Sequence, residues 1–199
     1  MSDVIDYYVS PGSPYVYLGH DAFCALVRER RVPVAVKPID LTRVFPVSGG
    51  VPLKQRAAQR QAYRLIELRR WSAHRHVPLN VHPKHFPVAT DLASCWVLAA
   101  EEAGTDDALR LLGGIGRALW SQERDVSDAA TLRAIARDLG LDADRLAERA
   151  AAADTRVHYD TLTQEAIDRG VFGVPTYVVR GEMFWGQDRL DFLARALAQ

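Results

Sequence analysis

A serine, Ser13, stands where a predicted strand over residues 4–9 gives way to a predicted helix over residues 14–31. The free N–H groups and the dipole at a helix N-terminus favour negative charge. A serine there either only caps the helix or donates its hydroxyl hydrogen to a charged ligand atom. We do not predict that Ser13 is itself a nucleophile, because the sequence shows no G-x-S-x-G motif and no recognisable histidine and aspartate partners.

A second group of candidates lies among the cations of residues 54–76. Against one acid, Glu67, this stretch holds seven basic residues: Lys54, Arg56, Arg60, Arg64, Arg69, Arg70 and Arg75. Two interpretations stay open: the charges form a solvated helical face, or one or two of them, Arg60 foremost, bind the carboxylates of a ligand. The histidines at positions 74, 76, 82 and 85 match no closed zinc spacing, so we predict no metal site.

The elements that must position these residues follow a recognisable order. The pattern predicts strands over 4–9, 32–41, 176–180 and 183–185, and helices over 14–31, 53–75, 90–102, 106–119, 127–139, 142–153, 155–169 and 187–197. Glycines interrupt the helix over 106–119. The order is therefore β-α-β, a long helical block, then β-β-α.

Without the helical block, this is the element order of a thioredoxin-like fold. A right-handed crossover makes the first two strands parallel, and the C-terminal hairpin lies antiparallel beside them. We predict an α/β thioredoxin-like fold with a large all-helical insertion. Residues 1–41 and 171–199 would form the thioredoxin-like domain, and residues 42–170 the inserted helical domain.

In that fold, chemistry takes place where the first strand turns into the first helix. Redox members carry Cys-x-x-Cys there, whereas Ser13 and Val16 occupy the two cysteine positions here, which excludes thiol–disulfide exchange by this turn. Val174-Pro175 precedes the third strand, where thioredoxin-like proteins hold a cis-proline. Proline suits a strand start and tolerates a cis bond, so we predict a cis peptide that presents the Val174 backbone to a peptide-like ligand.

Composition and charge limit which other classes of function are possible. The chain has 199 residues, 48% of them apolar, with 25 basic residues against 25 acidic ones. Zero net charge argues against nucleic-acid binding. No stretch approaches a membrane span, and the acidic start MSDVIDYY is no signal peptide. Cys24 and Cys95 lie in apolar helical runs and are predicted to be buried free thiols. We expect a soluble cytoplasmic protein with neither a nucleic-acid nor a membrane partner.

Four segments resemble the 2-hydroxychromene-2-carboxylate isomerase family, which belongs with the kappa-class glutathione transferases in the DsbA-like thioredoxin superfamily. They are SPYVYLG at 13–19, HFP at 85–87, GVFGVPTYVV at 170–179 and FWGQDRLDFL at 184–193. The resemblance covers essentially the whole chain. It implies a glutathione-dependent cis–trans isomerase of aromatic catabolism, acting as a homodimer on a small aromatic 2-oxo acid or its cyclic hemiketal.

The resemblance also assigns roles to single residues. It makes Ser13 the catalytic residue that holds the glutathione sulfur as a thiolate. It places Pro175 as the cis-proline and Val174 as the backbone partner of the cysteinyl part of glutathione. Asp188 in the GQDR turn would receive the γ-glutamyl ammonium, and its neighbour Gln187 would also bind glutathione.

Two further positions of the implied glutathione site depart from the family pattern. Gly50 stands where the family commonly has asparagine, and Arg60 replaces its lysine three residues before a tyrosine. For the substrate, Tyr15, Phe86 and Trp185 are candidate walls around an aromatic ring, although such residues also build cores.

Two other functions remain as alternatives to the isomerase. A kappa-type glutathione transferase would use the same thiolate but complete an irreversible conjugation. A non-catalytic thioredoxin-like protein would instead bind peptides at the cis-proline groove, and would show no tight glutathione binding.

Overall fold

The computed structural model describes residues 4–198, so residues 1–3 of the segment MSDVIDYY lie outside the described residues. Four strands form one mixed sheet: β1 (Ile5–Val9), β2 (Val34–Pro38), β3 (Thr176–Val179) and β4 (Glu182–Trp185). The strand order is β2-β1-β3-β4, with β1 parallel to β2 and the other two pairs antiparallel. This is a thioredoxin-like sheet, and the predicted fold class is confirmed.

The helices surround this sheet. They are α1 (Pro14–Arg30), α2 (Leu41–Ser48), α3 (Ala58–Arg75), α4 (Asp91–Ala103), α5 (Thr105–Trp120), α6 (Ala129–Asp138), α7 (Ala143–Ala151), α8 (Ala153–Asp168) and α9 (Leu190–Ala196). A 3-10 turn at Leu53–Gln55 precedes α3. Within residues 4–198, no helix is long and apolar enough to cross a membrane.

The sequence pattern missed α2 and predicted a break in α5. Helix α2 is only eight residues long and contains Pro46, and a proline inside a segment ordinarily argues against a helix. In α5, glycines allow a close approach to α1. A Cβ atom on Gly113 would lie 2.6 Å from the His20 ring, and one on Gly116 would lie 2.9 Å from the Tyr17 ring. The glycines therefore serve helix packing and do not end the helix.

The two faces of the sheet carry different chemistry. On the face covered by α1, Tyr7 and Tyr177 stack with ring centroids 5.1 Å apart, and both rings pack against Phe23. On the opposite face, the Lys37 ammonium lies 2.9 Å from Asp6 and 2.8 Å from Glu165 of α8. Helix α1, which begins at Ser13, thus rests on a buried aromatic layer, whereas α8 is held by charges.

The packing of α8 bears on the predicted domain boundary at residues 170 and 171. Tyr8 of β1 donates a hydrogen bond of 2.8 Å to Glu165, and Arg169 forms an ion pair with Asp6. The last helix of the predicted insertion therefore packs directly on the sheet. The division of the chain into two domains stays a prediction.

Candidate functional site

Ser13 occupies the N-cap of α1. Its side-chain oxygen accepts a hydrogen bond from the Val16 N–H at 3.3 Å, and Pro14 fills the first helical position. The Ser13 N–H donates to the Ser10 carbonyl at 2.9 Å, which fixes the turn. Capping uses a lone pair of the hydroxyl oxygen and leaves its hydrogen available to a further acceptor. A cap and a donor to a ligand are thus compatible roles for one hydroxyl group.

The Val174–Pro175 bond is cis, which confirms the prediction. Antiparallel pairing sets Thr176 opposite Tyr8, so Pro175 lies beside the end of β1 from which the chain runs on to Ser13. The Pro175 carbonyl accepts a hydrogen bond of 2.9 Å from the Gly186 N–H. The Val174-Pro175 pair, the Ser13 turn and the chain after β4 therefore meet at one end of the sheet.

The Gln187-Asp188 turn follows β4 and is held by a residue of α3. Arg75 donates from Nε to the Gln187 side-chain oxygen at 2.8 Å and from Nη2 to the Gln187 carbonyl at 2.6 Å. Gln187 is only 2% exposed, so its amide oxygen bonds within the protein and not to solvent. Asp188 remains partly exposed and lies 3.0 Å from the guanidinium of Arg189. The hydrogen bonds to Gln187 therefore fix the turn, and the Asp188 side chain stays partly exposed on it.

Gly19 of α1 lets this turn approach the first helix. A Cβ atom added to Gly19 would lie 2.6 Å from the Gln187 Cβ atom, closer than such atoms approach in proteins. The turn that carries Asp188 therefore packs directly on the helix that begins at Ser13.

Tyr15 lies where the charged side chains of α3 come close to the Ser13 turn. Burial raises its pKa, while the nearby positive charge of Arg64 lowers it and the negative charge of Glu67 raises it. Arg56 and Asp188 exert smaller effects on the same pKa. Tyr15 thus lies within electrostatic range of both α3 and the Asp188 turn.

Among the basic residues of α3, Arg64 is the one that lies against the aromatic side chains of this region. Its guanidinium lies over the Phe86 ring, 5.4 Å from the centroid, and 5.9 Å from the centroid of Trp120. Burial lowers the pKa of Arg64. Arg60, one turn earlier in α3, is exposed to solvent.

Phe86 belongs to a segment that packs beside the Ser13 turn. Its ring lies 4.7 Å from that of Trp120, and the Phe86–Pro87 bond is also cis, which the sequence did not lead us to expect. A Cβ atom on Gly12 would lie only 2.7 Å from the Thr90 methyl group. The structure thus brings Phe86 to the same side of the molecule as Ser13 and Tyr15.

Two predicted site residues lie elsewhere or contact only local partners. Trp185 is 51% exposed and packs edge-on against Phe172 with centroids 4.7 Å apart. Because Phe184 and Tyr177 occupy the α1 face, the alternation of β4 turns Trp185 to the other face. Gly50 follows α2 and packs against the ring of Phe45. Their proposed contacts with substrate and glutathione stay predictions.

Arg64 and Arg75 were not distinguished by the sequence from the other cations of their stretch. Both differ from their neighbours only in the direction in which α3 presents them, which depends on how that helix packs. The aromatic residue four positions before Arg75, Trp71, was the one available sign, since the guanidinium lies 5.4 Å from its ring centroid.

Comparisons with known proteins agree with this architecture. A family model described as the DSBA-like thioredoxin domain matches residues 4–198. A Sphingobium xenophagum protein named 2-hydroxychromene-2-carboxylate isomerase is 33% identical over 195 residues, 97% of each chain. A solved 2-hydroxychromene-2-carboxylate isomerase has a TM-score of 0.80 at 26% identity, covering 98% of this chain and 94% of that one. The disulfide reductase DsbM from Pseudomonas aeruginosa, solved with GSH, has a TM-score of 0.70 at 16% identity, covering 98% of this chain and all of that one. This last similarity concerns the fold alone.

Proposed function

Because the chain belongs to the 2-hydroxychromene-2-carboxylate isomerase family of DsbA-like thioredoxin proteins, we propose that its isomerase reaction depends on glutathione and acts on aromatic 2-oxo acids. The reaction would interconvert 2-hydroxychromene-2-carboxylate-type hemiketals and trans-o-hydroxybenzylidenepyruvate-type acids. The observation that carries the proposal is the Ser13 hydroxyl, which caps α1 and still has a hydrogen to donate beside the cis Val174–Pro175 bond.

The residues of this end of the sheet fit the parts of glutathione. Val174 precedes the first paired residue of β3, so its backbone groups suit hydrogen bonds to the cysteinyl part. Asp188 suits the γ-glutamyl ammonium, and the N-terminus of α1 favours the charge of a thiolate. Bound glutathione would supply a thiolate that adds reversibly to the conjugated double bond and so allows rotation about it.

Ser13 would stabilise the negative sulfur by donating its hydroxyl hydrogen. An ordinary thiol has a pKa of about 8.5. Lowering this pKa by two units requires roughly 2.7 kcal/mol of stabilisation of the thiolate. The helix N-terminus supplies about 0.3–1 kcal/mol. A hydrogen bond to a charged group supplies about 1.5–3 kcal/mol. The helix alone is insufficient, so the Ser13 hydroxyl is the larger of the two contributions.

Arg75 and Gln187 would act on this site indirectly. The two hydrogen bonds from Arg75 hold the backbone and side chain of Gln187, and thereby the position of Asp188. We assign Arg75 as a positioning residue. Arg60 and Gly50, which replace residues that hold glutathione in the family, stay proposed contacts of glutathione, and Trp185 stays a proposed wall for the substrate ring.

The decisive experiment combines calorimetric titration with glutathione and a turnover assay. The assay follows the ultraviolet absorbance of a trans-o-hydroxybenzylidenepyruvate-type substrate with and without glutathione, and chromatography tests for a stable conjugate. We expect saturable glutathione binding, turnover only with glutathione, and no net consumption of the thiol. A stable conjugate would instead identify a transferase. Absence of glutathione binding would favour a peptide-binding protein and refute the proposal.

Two further parts of the proposal have other grounds: the family resemblance implies that the chain acts as a homodimer, and the composition indicates that it works in the cytoplasm. Sedimentation equilibrium of the purified protein tests the first part. Fractionation of cells that produce the untagged protein tests the second.

A further inference from the structure

Arg64 is a half-buried cation that lacks a protein counter-ion. Within residues 4–198, its guanidinium forms no hydrogen bond or ion pair, and its only specific contacts are the rings of Phe86 and Trp120. Its nitrogens are not among the buried atoms without a partner, so they remain accessible. Removing a guanidinium from water without pairing it costs free energy, which a ligand anion would recover.

The two acids within electrostatic range of the neighbouring Tyr15 are engaged with other cations. Glu67, three residues along α3, accepts a hydrogen bond of 2.7 Å from Arg70. Asp188 lies 3.0 Å from Arg189. Arg56 adds a further positive charge and, like burial, lowers the pKa of Arg64. The surroundings of Arg64 therefore favour an anion.

The neighbours of Arg64 define the kind of anion that would fit. Phe86 and Trp120 offer ring faces beside the guanidinium, and Tyr15 lies within electrostatic range on the first turn of α1. A planar carboxylate matches the paired donors of a guanidinium. An aromatic ring next to that carboxylate would pack against Phe86.

We propose that Arg64 binds the carboxylate of an aromatic acid substrate, and that Phe86 and Tyr15 line the space for its ring. The identity of the natural ligand as a 2-oxo acid rests on the proposed function, but the carboxylate site itself does not. Arg69, five residues further along the same helix, is exposed. It serves as the matched control, because no part of the proposed glutathione site rests on it.

The test is calorimetric titration of the full-length protein with cinnamate and phenylpyruvate, with cinnamamide as the uncharged analogue. Each titration is repeated with saturating S-methylglutathione, which has no free thiol. We expect the parent to bind both acids and to bind the amide far more weakly. Arg64→Met should weaken binding of the acids by at least about tenfold, because a charge-assisted hydrogen-bonded contact is lost. Arg69→Met should bind them like the parent.

Arg64→Lys distinguishes loss of carboxylate binding from a general loss of folding, since this variant keeps the positive charge but loses the paired donors of the guanidinium. We expect it to bind the acids severalfold more weakly than the parent while melting at a similar temperature. Failure of the parent to bind either acid, or equal losses in Arg64→Met and Arg69→Met, would overturn the assignment. Carboxylate binding through Arg64 without glutathione-dependent turnover would refute only the proposed function. Turnover with an unchanged KM in Arg64→Met would refute only the Arg64 assignment.

Discussion

At Ser13 a single hydroxyl group has two partners: it accepts from the Val16 N–H and, in the proposed site, donates to a thiolate. Ser13→Ala should raise the pKa of bound glutathione by roughly one to two units, because it removes a charge-assisted hydrogen bond of about 1.5–3 kcal/mol. The ultraviolet absorbance of the thiolate, followed against pH, reports this shift. Turnover at neutral pH should fall accordingly.

The control is Ser13→Thr, which keeps both a cap and a hydroxyl hydrogen. It should titrate close to the parent. If Ser13→Ala instead titrates like the parent and keeps full turnover, Ser13 is only a helix cap.

Cys24 illustrates a thiol that the fold keeps unreactive. Burial raises its pKa to about 11. The ring of His20 lies 3.5 Å away, but burial lowers the pKa of this histidine, so the neutral ring does not stabilise a thiolate. Burial also raises the pKa of Cys95. We expect Ellman's reagent to label native protein at pH 7 at least about a hundredfold more slowly than unfolded protein.

Labelling of Cys95→Ser isolates the reaction of Cys24. In denaturant, this variant should react at the rate of an ordinary thiol. Rapid labelling of the native protein would contradict the predicted protection.

Residue-scale predictions succeeded where local chain geometry decides the outcome. The Ser13 cap and the cis Val174–Pro175 bond follow from which residues flank a strand or a helix. The hydrogen bond from Arg75 to the Gln187 side chain was not predicted, and the expected contact of Gln187 with glutathione stays a prediction. The orientation of a side chain on a long helix depends on distant packing, so neighbouring residues of the sequence do not reveal it.

At the scale of elements, Arg75 connects the end of α3 to the turn after β4. Arg75→Met should weaken glutathione binding by about tenfold, because Gln187 loses both hydrogen bonds from the guanidinium and Asp188 is no longer held in place. Titration calorimetry measures the change. Arg75→Lys should recover part of the affinity, since it can still donate to one of the two oxygens.

Arg70→Met is the matched control for this helix, because Arg70 is exposed and bonds to Glu67. It should bind glutathione like the parent. A fall in melting temperature without any loss of glutathione affinity in Arg75→Met would show that Arg75 supports only the fold.

The elements themselves were predictable where apolar periodicity is long. The strands and most helices lie close to their predicted ranges. Helix α2 was missed because it is short and contains Pro46. Helix α9 begins at Leu190, three residues after its predicted start, because Gln187 and Asp188 form the turn. The glycines of α5 were interpreted as a break in the helix. In the structure, Gly113 lies within the helix, and its lack of a side chain leaves room for the His20 ring of α1.

At the scale of the whole molecule, the sheet separates the proposed chemistry from a stabilising charge cluster. The parallel pair of β1 and β2 and the antiparallel hairpin beside it were predicted from the order of the elements. The cluster of Asp6, Lys37 and Glu165 was not, because its members are separated by long stretches of sequence and meet only after α8 packs on the sheet. Its effect should appear in stability and leave glutathione binding unchanged.

Glu165 gives that cluster a pH dependence. Burial alone raises its pKa, but hydrogen bonds from Lys37 and Tyr8 and the nearby positive charges outweigh burial, so the pKa lies below its ordinary value of 4.5. The unfolded chain therefore takes up this proton at a higher pH than the folded one. The stabilisation is fully present above about pH 4.5 and is lost as the pH falls through the folded-state pKa.

Glu165→Gln should lower the free energy of unfolding by about 1 kcal/mol at neutral pH, a modest figure because solvent screens this partly exposed group. The difference from the parent should shrink as the pH falls through the folded-state pKa of Glu165, which lies below 4.5, since the parent then also carries a neutral side chain there. Urea unfolding at neutral and acidic pH measures both values. Glu182→Gln, an exposed position at the start of β4, should match the parent at either pH. An equal loss of stability in Glu165→Gln at both pH values would show that the side chain acts through packing and not through its charge.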